Sequence, residues 1–219
     1  MRYFILLLMT LLLCACGNEK VIQLPEIDHS EITEINDVSA AYLFYDETQK
    51  DSVELNRKNL IVSTNWLINV DKRLSLKQVV PHIQFLQEKK ENSSHKNENA
   101  KNYYTCNDIS RKDLGFIEFT DIVYSNDSDQ LTPEDTYFIA TFDLNQIIVF
   151  GLNGTEHKTD IKDLVNTVMK TTSQAKEAGS IGLSFYDKLP FEDYITFKSE
   201  LSKLNLKNIK ISNNEFIFN

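Results

Sequence analysis

The spacing of hydrophobic residues changes along the chain and separates strands from helices. Short runs rich in aromatic and β-branched residues predict strands at residues 41–45, 60–70 and 114–124. Residues 136–142 and 146–150 form two further apolar runs joined by three residues, which predicts an antiparallel hairpin. The middle of the chain is therefore expected to be rich in β-structure.

Apolar residues at helical spacing appear in three segments. The first covers residues 74–90, with Ser75 and Gln78 as a capping box, and Pro81 leaves open whether that helix kinks or begins there. The second begins at Thr159 or Asp160. The third follows Leu189-Pro190 and comes after a strand at residues 181–186. We interpret residues 207–212 and 215–218 as two final strands joined by a turn.

This order is β-α-β-α-β-β from residue 146, and it predicts the α+β class with helices covering one face of a mixed sheet. Residues 39–219 are expected to fold as one domain, or as two subdomains covering 39–142 and 143–219. Residues 46–59 are predicted to be a charged connection, and the polar residues 88–102 an exposed excursion or a disordered loop. Residues 60–90 and 146–176 share one order of elements, which duplication and coincidence explain equally well.

The first eighteen residues resemble the signal of a bacterial lipoprotein. Arg2 precedes an apolar run at residues 3–13, which is too short to span a bilayer, and Leu13-Cys14-Ala15-Cys16 resembles a lipobox. The resemblance implies that residues 1–15 are a signal peptide and that the Cys16 thiol receives lipid. Fatty acyl chains such as palmitate would then hold a soluble body on a membrane of the cell envelope, through a tether at residues 16–38. The alternative is an ordinary signal peptide that is cleaved elsewhere.

Composition narrows the chemistry that the body can perform. The net charge of −9 argues against nucleic acid as a partner, because such binding needs a basic surface. Cys106 is the only cysteine left after residue 16, so no disulfide is expected, and we interpret it as structural rather than reactive. The four histidines lack the spacing of metal ligands, so we expect no metal and no cofactor.

Two groups of carboxylates offer the only candidates for acid–base chemistry. They lie in predicted connections and consist of Asp46, Glu47, Asp51 and Glu54, and of Asp127, Asp129, Glu134 and Asp135. An envelope hydrolase that uses such a pair is one alternative function. A second alternative is a lipoprotein that binds a small ligand in an aromatic groove, which would be built from Phe185, Tyr186, Phe191, Tyr194 and Phe197.

The C-terminal third resembles the periplasmic domain of the ExbD/TolR biopolymer-transport proteins. The resemblance rests on residues 184–194, the amphipathic helix that follows, and residues 208–212. It implies a role in an envelope transport complex. No functional residue carries over, because the family's transmembrane helix with its proton-coupled carboxylate has no counterpart here.

We therefore favour a non-catalytic binding or accessory module over an enzyme. Its expected partners are the membrane, through the lipid on Cys16, and an envelope protein. The two short strands near the C-terminus are expected to leave an open sheet edge to which a partner strand can add. The residues predicted to form that edge are Ile209, Ile211, Phe216 and Phe218.

Overall fold

A computed structural model describes residues 20–126, 136–151, 154–173, 179–206 and 208–219. Within these residues the chain forms three helices and twelve strands in two mixed sheets, which confirms the α+β class. Cys16 lies outside the described residues. Along the chain, the last strand of the first sheet ends at residue 118 and the second sheet begins at residue 123. This boundary comes earlier than the one considered above, between residues 142 and 143.

The first sheet is built around three parallel strands. Strands β2, β4 and β5 are parallel neighbours, β3 pairs antiparallel with β2, β6 pairs antiparallel with β5, and the short β1 extends the line of β4 along β5. Helix α1 connects β4 to β5. The bounds are β1 Glu26–Ile27, β2 Val38–Tyr45, β3 Val53–Asn56, β4 Asn65–Val70, α1 Leu76–Glu91, β5 Asn102–Asp108 and β6 Asp113–Glu118.

The second sheet has the order β10-β9-β8-β11-β12-β7, in which β8, β11, β12 and β7 are parallel. Helices α2 and α3 precede β11 and β12. The bounds are β7 Val123–Ser125, β8 Thr136–Asp143, β9 Gln146–Phe150, β10 Glu156–Thr159, α2 Leu164–Thr172, β11 Gly179–Tyr186, α3 Phe191–Ser202 and β12 Ile209–Phe218.

The two halves repeat one topology. In each half a hairpin is followed by a strand parallel to its first strand, then a helix, then another parallel strand: β2-β3-β4-α1-β5 and β8-β9-β11-α3-β12. The second half differs in that β10 and α2 are inserted between β9 and β11. The turns before the two helices also match, with Asp71-Lys72 before α1 and Asp187-Lys188 before α3. The shared topology thus relates β4-α1 to β11-α3, whereas residues 146–176 carry β9, β10 and α2, one strand more than residues 60–90.

The N-terminal turns of α1 and α3 bind each other reciprocally. The Leu76 amide donates to the Leu189 carbonyl at 3.0 Å, and the Phe191 amide donates to the Leu74 carbonyl at 2.6 Å. A second pair joins Lys77 to Asp187 at 2.7 Å and Glu192 to Lys72 at 3.2 Å. These amides lie in first turns, where no acceptor exists within the helix. Each half therefore caps the helix of the other.

Helix α3 lies between the two sheets. The Tyr194 ring is 6.4 Å from the ring of Tyr104 on β5 and 5.1 Å from that of Phe185 on β11. Buried residues of both halves belong to one continuous hydrophobic cluster. Helix α1 contacts the first sheet where the Lys90 ammonium sits 4.7 Å from the Trp66 ring centre. The molecule is held together by one shared core.

Several sequence predictions need correction. The capping box at Ser75 and Gln78 is confirmed, but α1 runs through Pro81 from Leu76. Residues 46–59 contain strand β3, and the segment 88–102 is partly packed, because Lys90, Ala100 and Asn102 are buried. The extra strand β10 precedes α2, so the order from residue 146 is β-β-α-β-α-β.

The expected turn at Asn213-Asn214 is a bulge within the single strand β12. Between the pairs Ile181–Ile211 and Leu183–Glu215 the register advances two residues on β11 and four on β12. The strand accommodates the extra residues by a local kink instead of reversing direction.

The expected tether at residues 16–38 is bound to the body over much of its described length. The Lys72 amide donates to the Gln23 carbonyl at 2.8 Å, and the Asn107 amide donates to the Pro25 carbonyl at 2.8 Å. Further along, Ile32 forms an isolated antiparallel β-bridge with Phe116, on the outer side of β6. The described segment therefore forms part of the folded domain.

Candidate functional site: a cleft beside helix α3

A cleft of about 420 Å³ lies between the two halves of the molecule. One wall is β6 with the docked segment at residues 27–32, and the other is the C-terminal half of α3 with the bulge of β12. We call this the α3 cleft. Its floor is apolar, with Ile27, Ile32, Phe116, Ile117, Ile122, Leu201 and Ile211. Polar side chains that include Ser199, Ser202, Lys198 and Lys203 line the α3 wall.

The repeat explains why this cleft is open. On α1, the Gln84 amide group donates to the Tyr124 carbonyl at 3.0 Å and the Gln87 amide group to the Ile122 carbonyl at 2.8 Å. These two glutamines occupy the ninth and twelfth positions of α1 and seal β7 against it. The same positions of α3 hold Ser199 and Ser202. Because a serine hydroxyl cannot extend as far as a glutamine amide, the corresponding space beside α3 stays open.

A buried chain of polar groups ends at the α3 cleft. The Lys198 ammonium lies 2.5 Å from Glu215 Oε1, and the Tyr194 hydroxyl donates to Glu215 Oε2 at 2.7 Å. The Tyr194 hydroxyl is 3.0 Å from that of Tyr124, which in turn is 2.7 Å from that of Tyr104. Glu215 is fully buried, and Lys198 lines the cleft.

This chain fixes the inner end of the cleft. Burial raises the pKa of Tyr104, Tyr124 and Tyr194 well above the usual value near 10, so all three remain protonated at neutral pH. Their hydroxyls lie on β5, β7 and α3, and Glu215 lies on β12, so both sheets contribute. Removing one member of a buried ion pair leaves the other charge uncompensated, which is strongly destabilising. Lys198 is therefore held in place at the wall of the cleft.

Two residues of β12 direct their backbone polar groups away from β11, on the side of the strand beside the cleft. The Gly179 amide donates to the Asn208 carbonyl at 3.1 Å, so the Asn208 carbonyl points towards β11. Backbone direction alternates along a strand, and the polar groups of Ile209 and Ile211 therefore point away from β11. Strand β7 covers β12 only at Asn214–Phe216, and no other described strand pairs on that side.

The four predicted edge residues separate into two pairs. Ile209 is buried on the helix-covered face and Ile211 lines the α3 cleft, whereas Phe216 and Phe218 lie on the opposite face of the sheet. β12 is not the outermost strand, because β7 lies beyond it. The open part of its edge is confined to the residues before the bulge.

Two of the carboxylates considered for a hydrolase, Asp46 and Glu54, share one lysine as an ion-pair partner. The Lys20 ammonium lies 2.5 Å from Asp46 and also bonds Glu54. Lys20 holds the pKa of Asp46 well below its usual range, so Asp46 remains ionised. Asp127, Asp129, Glu134 and Asp135 lie outside the described residues. Elsewhere in the described ranges, no group of three His, Cys, Asp or Glu side chains could hold a metal ion.

Cys106 and the expected groove aromatics are core residues. Cys106 is fully buried, and burial raises the pKa of its thiol so that it stays protonated. Phe185, Phe191, Tyr194 and Phe197 are likewise buried, and only Tyr186 lies on the outer face. Sequence reasoning missed Lys198, Ser199, Ser202 and Glu215. The one available signal was a carboxylate at residue 215 next to an otherwise apolar C-terminal strand.

No family model, curated protein or solved structure matches this chain. Among the described helices, none is both long enough and apolar enough to cross a membrane.

Proposed function

We propose that this protein is a lipid-anchored binding module of the bacterial cell envelope that holds an extended segment of a partner polypeptide in the α3 cleft. One observation carries the proposal: the edge of β12 at Ile211 lies in an apolar cleft with no described strand paired to it. An added strand satisfies such backbone groups, and pockets beside the edge select its side chains.

The composition of the cleft supports a bound polypeptide over a reaction. Its volume is within the range of ligand sites, and an apolar floor with a few fixed polar groups favours binding with defined orientation. Ser199, Ser202 and Lys198 supply donors along the α3 wall. The described carboxylates near Lys20 are engaged in ion pairs, which argues against the hydrolase alternative.

The docked N-terminal segment brings the anchor close to the body. Lys20 lies four positions after Cys16, and a fully extended chain of that length spans about 14 Å. A lipid on Cys16 would thus hold the domain near the membrane surface. The resemblance to ExbD/TolR proteins adds the hypothesis that the partner belongs to an envelope transport complex.

Closing the cleft tests the binding proposal. In Ser199→Gln/Ser202→Gln the α3 wall carries the two glutamines that α1 already has, and we expect them to fill the space beside β12. A photoreactive amino acid at Asn213 should cross-link a partner peptide in native membranes, and the double substitution should reduce that cross-link at least tenfold.

The matched control is Ser173→Gln, which adds the same side chain at the exposed end of α2. It should leave the cross-link unchanged. Equal cross-linking by the closed variant would contradict the proposal. A cross-link only to a small molecule would favour the alternative of a small-ligand lipoprotein.

The anchor has its own test. Cys16→Ser should abolish incorporation of labelled palmitate, because the thiol is the lipid acceptor. The wild-type protein should stay with membranes through a high-salt wash. Persistent palmitate labelling of the Cys16→Ser protein would show that the lipobox interpretation is wrong.

A further inference from the structure

The second sheet has an outer face that is covered with aromatic side chains. The Phe218 ring contacts three of them, with ring centres 5.1 Å from Phe142, 5.8 Å from Tyr186 and 6.5 Å from Phe216. Phe138 and Phe150 form a further pair at 6.4 Å on β8 and β9. All six side chains are half-buried. Side chains alternate between faces along a strand, which is why they share this one.

The described helices all lie on the opposite face. Helix α3 packs on Phe185, whose ring is 5.2 Å from that of Phe197. Helix α2 lies on the same side, because the Thr167 hydroxyl bonds that of Thr159, which pairs with Ile147. Helix α1 reaches β7 beside α3 through Gln84 and Gln87. No described helix therefore covers the aromatic face.

Exposed lysines border this face although the chain as a whole is acidic. The Lys188 ammonium lies 5.7 Å from the Tyr186 ring centre. Lys210 pairs with Ser180 in the register of β12 and β11, which places it on the same face as Tyr186. At the β10 edge, the negative charge of Glu156 and the positive charge of Lys158 cancel. Lys188 and Lys210 thus place two positive charges on the described part of this face in a protein of net charge −9, and such charges suit an anionic surface.

The aromatic face and the N-terminal segment lie at the same end of the molecule. The Asp187 amide donates to the Phe218 carbonyl at 2.7 Å, so this face ends at the junction of the two helix N-termini. Lys72 in that junction binds the Gln23 carbonyl and ion-pairs with Glu192 at 3.5 Å. Cys16 lies seven residues before Gln23, a reach of about 24 Å.

We propose that the aromatic outer face of the second sheet rests on the membrane interface, with Lys188 and Lys210 against anionic lipid headgroups. Aromatic rings favour the boundary between headgroups and acyl chains, and lysines beside them are attracted to negative lipids. A lipid on Cys16 would keep this face close to the membrane, and in that respect the inference rests on the proposed function. The contact itself needs no lipid on the protein.

Vesicle binding tests this proposal without the anchor. A chain that begins at Gly17 keeps every described residue and lacks the lipidated cysteine. It should bind vesicles of phosphatidylglycerol and phosphatidylcholine more tightly than vesicles of phosphatidylcholine alone, in a salt-sensitive way. Lys188→Glu/Lys210→Glu should weaken that binding at least tenfold, and Phe218→Ser should weaken it as well.

The matched control is Lys162→Glu/Lys170→Glu, which makes the same charge change on exposed residues at and beside α2, on the opposite face. It should change binding less than twofold. Circular dichroism establishes that each variant is folded, and Phe216→Ser replaces Phe218→Ser if the latter unfolds.

Three results would overturn the proposal. They are no binding to phosphatidylglycerol vesicles, equal weakening by both lysine pairs, and a dimer in the absence of vesicles that Phe218→Ser converts to monomer. The last would assign the face to a second copy of the chain. The cross-link at the α3 cleft should be unaffected by Lys188→Glu alone, because Lys188 lies outside the β12 edge, so failure here is distinguishable from failure of the proposed function.

Discussion

At the scale of single residues, burial determines the behaviour of several polar side chains. Lys90 is the clearest case, because its ammonium has no carboxylate partner among the described ion pairs. It donates to Asn102 Oδ1 at 2.7 Å and lies over the Trp66 ring. Burial lowers the pKa of Lys90 to about 8. The side chain connects the end of α1 to the start of β5.

The lowered pKa of Lys90 predicts a specific pH dependence. In the unfolded chain a lysine titrates near 10.4, so between about pH 8 and 10.4 the unfolded state binds more protons than the folded state. The free energy of unfolding should therefore rise with pH in this window relative to Lys90→Met, which cannot titrate. Urea denaturation of both proteins at pH 7, 8, 9 and 9.5 measures the difference. A difference that is flat or falls with pH would contradict the assigned environment.

At the scale of elements, close packing at one glycine holds the N-terminal segment on the first sheet. A Cβ added at Gly115 would lie 2.6 Å from Ser30 Cβ. Ser30 is buried there, its amide donating to Asp108 at 2.9 Å and its hydroxyl bonding the Phe116 amide at 3.0 Å. The close packing of β6 against the docked segment thus requires a residue without a side chain at position 115.

Gly115→Ala should displace the segment at residues 26–32, because the added methyl group would collide with Ser30 Cβ, which cannot move away without its backbone. We expect faster hydrogen exchange at the Ser30 and Phe116 amides and earlier proteolytic cleavage before residue 38. The neighbouring exposed Leu114→Ala serves as the control and should leave both unchanged. Exchange at Ser30 that matches the wild type would show that the segment tolerates the added methyl group.

At the scale of the whole molecule, two halves of similar topology are joined by hydrogen bonds and by a shared hydrophobic core. The helix N-termini cap each other, and the hydroxyl chain from Tyr104 to Glu215 crosses between the sheets. One difference between the halves creates the α3 cleft, namely serines on α3 where α1 has glutamines.

The shared core predicts that the halves unfold together. Trp66, the only tryptophan, reports on the first sheet, while far-ultraviolet circular dichroism reports on both. Urea curves from the two probes should have the same midpoint, because exposing one sheet also exposes α3. Separate midpoints would show that the halves unfold independently. In that case Tyr124→Phe, which alters the second sheet, should leave the midpoint reported by Trp66 unchanged.

The sequence by itself determined the features that depend on near neighbours. The spacing of hydrophobic residues and the local composition indicated the β8–β9 hairpin, the capping box of α1 and the start of α3 after Pro190. These features depend on side-chain spacing and on first-turn hydrogen bonds, which involve residues close in sequence. Together these elements sufficed to predict the α+β class.

Only the tertiary structure decided which elements meet. β3 and β5 went unrecognised because polar residues interrupt their patterns, and pairing with β2 and β4 stabilises them from outside the segment. The bulge in β12 arises from its register against β11, and Glu215 is buried because Lys198 and Tyr194 reach it from α3. The α3 cleft depends on comparing side-chain lengths at equivalent positions of two distant helices. Periodicity reports that a face is buried, but the partner that buries it lies elsewhere in the chain.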